Sequence, residues 1–121
     1  MKTREIPHAE WPQVLNALSN LCHKAPLAVT VEQLSSELGD QVVAKHVPLR
    51  AITYEEKGSE ARDIAIELGD DVSGNRLLQR IHDVSGVYLA QKDDGSPHSM
   101  DIEGEDHVSQ ARIKTVIRFE S

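Results

Sequence analysis

The sequence predicts an α+β fold, an N-terminal helix packed on a strongly bent, mostly antiparallel sheet or small barrel of about seven strands. Three observations lead there. Only the segment from Pro7 to Leu21 carries a helical period. All seven glycines lie between Gly39 and Gly104, at the spacing of turns between successive strands. The stretches between them alternate apolar with polar residues, as strands with one dry face do.

In the helical segment Trp11, Leu15, Leu18 and Cys22 fall at steps of four, three and four, with Val14 and Leu21 beside them. That spacing makes one buried stripe. Pro12 is tolerated only in a first turn, so the helix starts near His8 to Glu10, and Pro26 ends it. Trp11 begins the stripe in phase with Leu15 and Leu18, which assigns it to the core rather than to an exposed anchor.

The strands follow in order. Leu27, Val29 and Val31 alternate with Ala28, Thr30 and Glu32, and Ile64, Ile66 and Leu68 with Asp63, Ala65 and Glu67. Between them, Gln41 to Val47 and Leu49 to Glu56 read as two strands divided at Pro48, which has no amide to donate to a ladder. Gly69 to Asn75 is a polar loop in which Asp70, Asp71, Ser73 and Asn75 can cap backbone amides. Leu77 to His82 and Val87 to Gln91 form two further strands, and Lys92-Asp93-Asp94-Gly95-Ser96 is a hairpin turn.

The closing pair runs from His98 to Glu103 and from Ala111 to Glu120. Setting Glu103 against Arg112 and Asp101 against Lys114 puts opposite charges together on the wet face and Ile102 against Ile113 on the dry one. A slip of two residues preserves the faces, so the prediction is the parity: Asp101 and Ile113 on opposite faces. No repeat and no low-complexity linker divides the chain, and residues 1–121 read as one domain.

Composition excludes several activities. With 20 acidic against 13 basic side chains the formal charge is −7, and the aromatics are only Trp11, Tyr54, Tyr88 and Phe119. A nucleic-acid binder needs a basic surface and usually exposed rings, so no nucleic-acid partner is expected. The excess is uneven: residues 1–60 hold 6 basic and 8 acidic side chains, residues 61–121 hold 7 and 12. The opening residues lack the apolar run of a signal peptide, and no stretch approaches the roughly 20 apolar residues that cross a bilayer. One cysteine, Cys22, forms no internal disulfide. A cytoplasmic protein without membrane contact is the expectation.

Six histidines, His8, His23, His46, His82, His98 and His107, invite a metal or acid–base reading, yet no His-x-x-x-His or Cys-x-x-Cys pair occurs. Cys22 and His23 are neighbours on a helix and point about 100° apart, which rules out a local nucleophile–base pair; Cys22 behaves as a small apolar residue. The acids from Asp93 to Asp106, namely Asp93, Asp94, Asp101, Glu103, Glu105 and Asp106, suggest a divalent cation. They lack the Asp-x-Asp-x-Asp-Gly pattern of a calcium loop. Phosphate-binding glycine loops and a Gly-x-Ser-x-Gly elbow are also missing. No catalytic, cofactor-binding or metal-ligating residue is assigned, and no cofactor.

The opening Thr3-Arg4-Glu5-Ile6-Pro7 followed by Glu10-Trp11-Pro12 resembles a family of short, uncharacterised bacterial proteins catalogued as a domain of unknown function. The likeness continues through Val29-Thr30-Val31-Glu32, Pro48-Leu49 with Ile52, and Ile117-Arg118-Phe119. It implies a bacterial source and a complete single-domain protein, and it transfers no activity. The expected role is a non-enzymatic module that binds a protein partner or itself through a sheet edge or the acidic face. The alternatives are a small-ligand binder or enzyme in which His46, His82 or His98 meets a carboxylate at the mouth of the sheet, and a weak divalent-cation binder at Asp93 to Asp106.

Overall fold

The chain builds β1 (Lys2–Glu5), a short 3-10 turn (His8–Glu10), α1 (Trp11–Lys24), β2 (Leu27–Ser35), β3 (Gly39–Lys57), β4 (Ala61–Gly69), β5 (Arg76–Gln91), β6 (Pro97–Asp106) and β7 (Arg112–Phe119). The computed structural model describes residues 1–25, 27–37, 39–57, 61–69, 76–106 and 111–120, the side chains of 56, 57 and 61 excepted. Pro26, His107 and the loop residues Asp70, Asp71, Ser73 and Asn75, all singled out in the sequence, lie outside the described residues.

Each strand from β2 to β7 pairs antiparallel with the next, and β7 returns to β2 through Val29 with Phe119 to Leu34 with Lys114. The result is a closed six-stranded up-and-down barrel with β1 added to β5 from outside. Closure gives each strand of the ring a partner on both sides over part of its length. The predicted faces hold: Val29 and Val31 on β2, Ile64, Ile66 and Leu68 on β4, and Met100 and Ile102 on β6 are buried inside.

Two strand divisions expected from the sequence do not occur. Gln41 to Val47 and Leu49 to Glu56 belong to the single 19-residue β3, and Leu77 to His82 and Val87 to Gln91 to the 16-residue β5. Each long strand serves different neighbours along its length. β3 pairs with β2 as far as Leu49 and with β4 from Leu49 onward, while β5 pairs with β4 as far as Ile81 and with β6 from Ile81 onward. Both bend through bulges whose unusual residues are not glycines: His46 has φ 54° and Asp83 φ 46°, each at a shift of register. Pro48 stands where β3 changes neighbours, so the chain turns there without ending the strand. The second bulge presses on β6 at Gly104, where an added Cβ would lie 2.6 Å from Ile81 Cγ2 and 2.7 Å from the His82 carbonyl oxygen.

The β6–β7 pair is slipped two residues from the expected partners. Glu103 faces Lys114, Glu105 faces Arg112, and Ile102 faces Thr115. Parity is retained, with Ile113 buried and Asp101 on the opposite face. At the β5–β6 turn Gly95 takes φ 88° and Asp94 accepts hydrogen bonds from the Ser96 amide (2.9 Å) and hydroxyl (2.6 Å). Those bonds hold the Asp94 carboxyl below the usual carboxylate range.

The N-terminal segment, whose strand the sequence does not announce, covers what the ring leaves open. Ile6 is buried and donates its amide to Val87 O at 2.8 Å, and the Trp11 indole donates to Ile6 O at 2.8 Å. Trp11, Leu15, Leu18 and Cys22 enter the barrel's core cluster as one stripe. Burial of one such large apolar side chain stabilises by about 1.5–3 kcal/mol, so the stripe holds α1 in place. Burial pushes the Cys22 thiol above its usual range, a hydrogen bond with the Leu27 backbone partly opposing the shift.

Candidate functional site

The last pair between β2 and β3 is Leu27 with Leu49, whereas β3 continues to Lys57. Beyond Leu49 its β2-side edge meets α1 instead of a strand. Ser19 supplies the missing ladder partner: its hydroxyl donates to Ile52 O at 2.8 Å and accepts from Ile52 N at 3.0 Å. The helix is thereby clipped to the strand at one point, and a groove of about 590 Å³ lies along the contact.

On the helix side Gln13, Asn16, Asn20 and His23 line the groove at steps of three, four and three; on the strand side Ala51, Ile52, Thr53 and Tyr54 do. This exposed stripe is the polar neighbour of the buried one, which is why the same helical period generates both. Tyr54 is fixed by its neighbours. Its hydroxyl lies 3.1 Å from His8 Nε2, and its ring meets those of Trp11 and His8 edge-on, with centroids 5.8 and 6.0 Å apart. Apart from His23 and the Tyr54 phenol the lining carries no titratable side chain, so the groove offers hydrogen-bond donors and acceptors in an almost uncharged setting.

Two of the three histidines considered for a sheet-mouth site do meet carboxylates, one on another strand and one just past the end of β7. His82 Nδ1 is 2.8 Å from Asp63 Oδ2, with Asp63 only 13% exposed. His46 Nδ1 is 2.5 Å from Glu120 Oε2, and Thr30 donates to the same carboxylate at 2.9 Å. Burial pushes the Glu120 carboxyl up, but the bonds from Thr30 and His46 and the His46 and Lys45 charges outweigh it and leave it low. Asp63 and His82 lie on the outer face of the barrel, since they alternate with the buried Ile64 and Ile81. His82 belongs to a row that crosses five strands: Glu55, Asp63, His82, Glu105 and Arg112 stand side by side from β3 to β7. None of His46, His82 and His98 lines the α1/β3 groove or a smaller one of about 340 Å³ bordered by Val43, Ala44, Val47 and Leu77.

The acids from Asp93 to Asp106 do not converge. Asp93 holds the N-terminal ammonium at 2.7 Å, Asp94 caps the turn, and Glu103 and Glu105 stand opposite Lys114 and Arg112. Among the described residues no group of three or more His, Cys, Asp or Glu side chains could hold a metal ion. Likewise no described helix is long and apolar enough to cross a membrane.

Sequence reasoning named His23 but passed over Gln13, Asn16, Asn20 and Thr53, which the groove brings together. The signal of Gln13, Asn16 and Asn20 was present as carboxamides repeating at helical spacing beside the apolar stripe. The distinctive opening motif has a structural use: Thr3, Arg4 and Glu5 form β1 against β5, Ile6 anchors it, and Trp11-Pro12 starts α1. A model described as a family of unknown function, DUF5335, matches residues 2–121. No curated protein and no solved structure matches the chain.

Proposed function

We propose that this chain, which belongs to the family of unknown function DUF5335, is a cytosolic binding module rather than an enzyme and takes a protein partner in the α1/β3 groove. The observation that carries this reading is the lining itself. Gln13, Asn16 and Asn20 face the β3 rim across a space within the size range of ligand sites, and carboxamides bind through hydrogen bonds without exchanging protons. The histidine–carboxylate couples, His46 with Glu120 and His82 with Asp63, stand outside that lining.

The test is site-specific photocrosslinking in the cell of origin, with the photoreactive residue at Asn20 and, as a control, at Glu37 on the distant β2–β3 turn. One discrete protein adduct at position 20 and none at 37 is the expected result. Equal labelling at both positions, or no adduct at 20, removes the reading.

A second reading rests on His82 and Asp63. A mostly buried carboxylate holding one imidazole nitrogen is how general bases are oriented in many hydrolases. Hydrolysis of activated esters or phosphate esters by the wild type, abolished in His82→Asn, would put that reading first.

A further inference from the structure

We infer that the occupant of the groove is an extended polypeptide segment of the partner, read through its main chain by Asn16 and Asn20. The inference rests on the α1/β3 groove being the binding site, as proposed above.

Three properties of the groove lead to this class of ligand. The first is spacing. Asn16 and Asn20 are four residues apart on α1, about 6.0 Å along the axis at 1.5 Å per residue. An extended chain presents an amide and a carbonyl of the same residue to one side at every second residue, about 6.6–6.8 Å apart. Side-chain rotation absorbs a difference below ~1 Å. Each carboxamide can then donate to one carbonyl and accept from one amide of alternate residues, as a neighbouring strand would.

The second is charge. A main chain is polar and uncharged, and neutral carboxamides satisfy it without the desolvation cost of a buried ion. With His23 the only lining side chain of basic type and the whole protein at −7, a phosphate or nucleic-acid ligand has no counter-charge here.

The third is what the strand edge already does. A segment adding directly to β3 at Ile52 would need the amide and carbonyl that Ser19 holds. Recognition at that level of the groove therefore falls to the helix, with Thr53 and Tyr54 as the opposite wall. From Gln13 to His23 the lined face of α1 runs about 15 Å, the length of four to five extended residues.

The experiment is amide and side-chain NMR on the full chain with a pool of capped pentapeptides, repeated with the same pool N-methylated at alternate residues. The expected result is displacement of the Asn16 and Asn20 side-chain resonances by the first pool. N-methylation, or the exposed-site variants Asn16→Ala and Asn20→Ala, should weaken that binding about tenfold, the loss of two net hydrogen bonds. Equal binding by the N-methylated pool overturns main-chain reading. So does displacement by a neutral oligosaccharide pool and not by peptides. A crosslink at position 20 with no peptide shifts means that a folded surface docks there: this inference fails while the proposed function stands. Absence of both the crosslink and the shifts removes the groove reading itself.

Discussion

The hydroxyl of Ser19 closes both hydrogen-bonding groups of Ile52, accepting from its amide and donating to its carbonyl across 33 residues of sequence. A single side chain thus substitutes for a strand at the point where β2 has left β3. Ser19→Ala strips that partner from two main-chain groups at a part-buried position. Leaving such groups unsatisfied costs about 1–3 kcal/mol. Urea unfolding should show a lower midpoint with an unchanged slope.

Trp11 is tied to the barrel both by burial and by its indole bond to Ile6 O. Trp11→Phe keeps most of the buried ring and loses the bond, for an expected cost of about 1–3 kcal/mol. Trp11→Ala also opens a cavity and should cost about 3–5 kcal/mol. Comparing the two by thermal unfolding separates the bond from the packing, and an undiminished stability in Trp11→Phe would show that the indole bond contributes nothing.

At Gly104 the constraint is space, and at Gly95 it is backbone angle. Gly104→Ala drives a methyl into Ile81 and the His82 carbonyl, an overpacking of about 1–3 kcal/mol or more because one obstacle is backbone. Gly95→Ala meets no atom within 4 Å but must hold φ 88°, at about 1–2 kcal/mol. Crystal or NMR structures of the variants should show a displaced β5 bulge for Gly104→Ala and an undisturbed barrel for Gly95→Ala.

The alternating faces of β2, β4 and β6 and the stripe of α1 were legible because each follows one unbroken period. The whole of β1 was not: Lys2 to Glu5 are all exposed and carry no apolar alternation, since their contribution to the sheet is main-chain pairing. The continuity of β3 and β5 escaped for a different reason. A bulge resets the inside–outside rhythm, and His46 and Asp83 adopt left-handed angles that a sequence usually signals with glycine. For the groove, the carboxamides were visible along α1, but their opposite wall depends on where β2 stops, which is a property of the closed ring.

Acid should weaken the protein through Asp94 and Glu120. Both carboxyls titrate below their usual range in the folded state, Asp94 through its bonds from Ser96 and Glu120 because hydrogen bonds and nearby charge outweigh burial. A depressed folded pKa means that the stabilisation is present above the unfolded value, near 3.9–4.3, and is lost as pH falls through the folded value. Urea midpoints between about pH 5 and pH 2 should therefore fall less steeply for the double variant Asp94→Asn/Glu120→Gln than for the wild type.

Cys22 serves as a probe of α1. Its thiol is buried and its pKa is raised, so a thiol reagent at mildly alkaline pH should react far more slowly than with the unfolded chain. Ser19→Ala, which unclips the helix from β3, should accelerate labelling by shifting the local opening equilibrium. Unchanged labelling in that variant would mean that α1 opens only with the whole barrel.

The seam between β2 and β7 joins residues 90 positions apart, Val29 with Phe119. During synthesis every other strand of the ring can find its neighbour as it emerges, but β2 waits for the last strand of the barrel. Until β7 arrives, two strand edges are exposed at once, one on β2 and one on β6, each able to template pairing with another nascent chain. A ribosome stalled before Arg112 would therefore carry an open, adhesive sheet, and the final eight-residue strand converts it into a cylinder that no longer has an edge to offer at that seam.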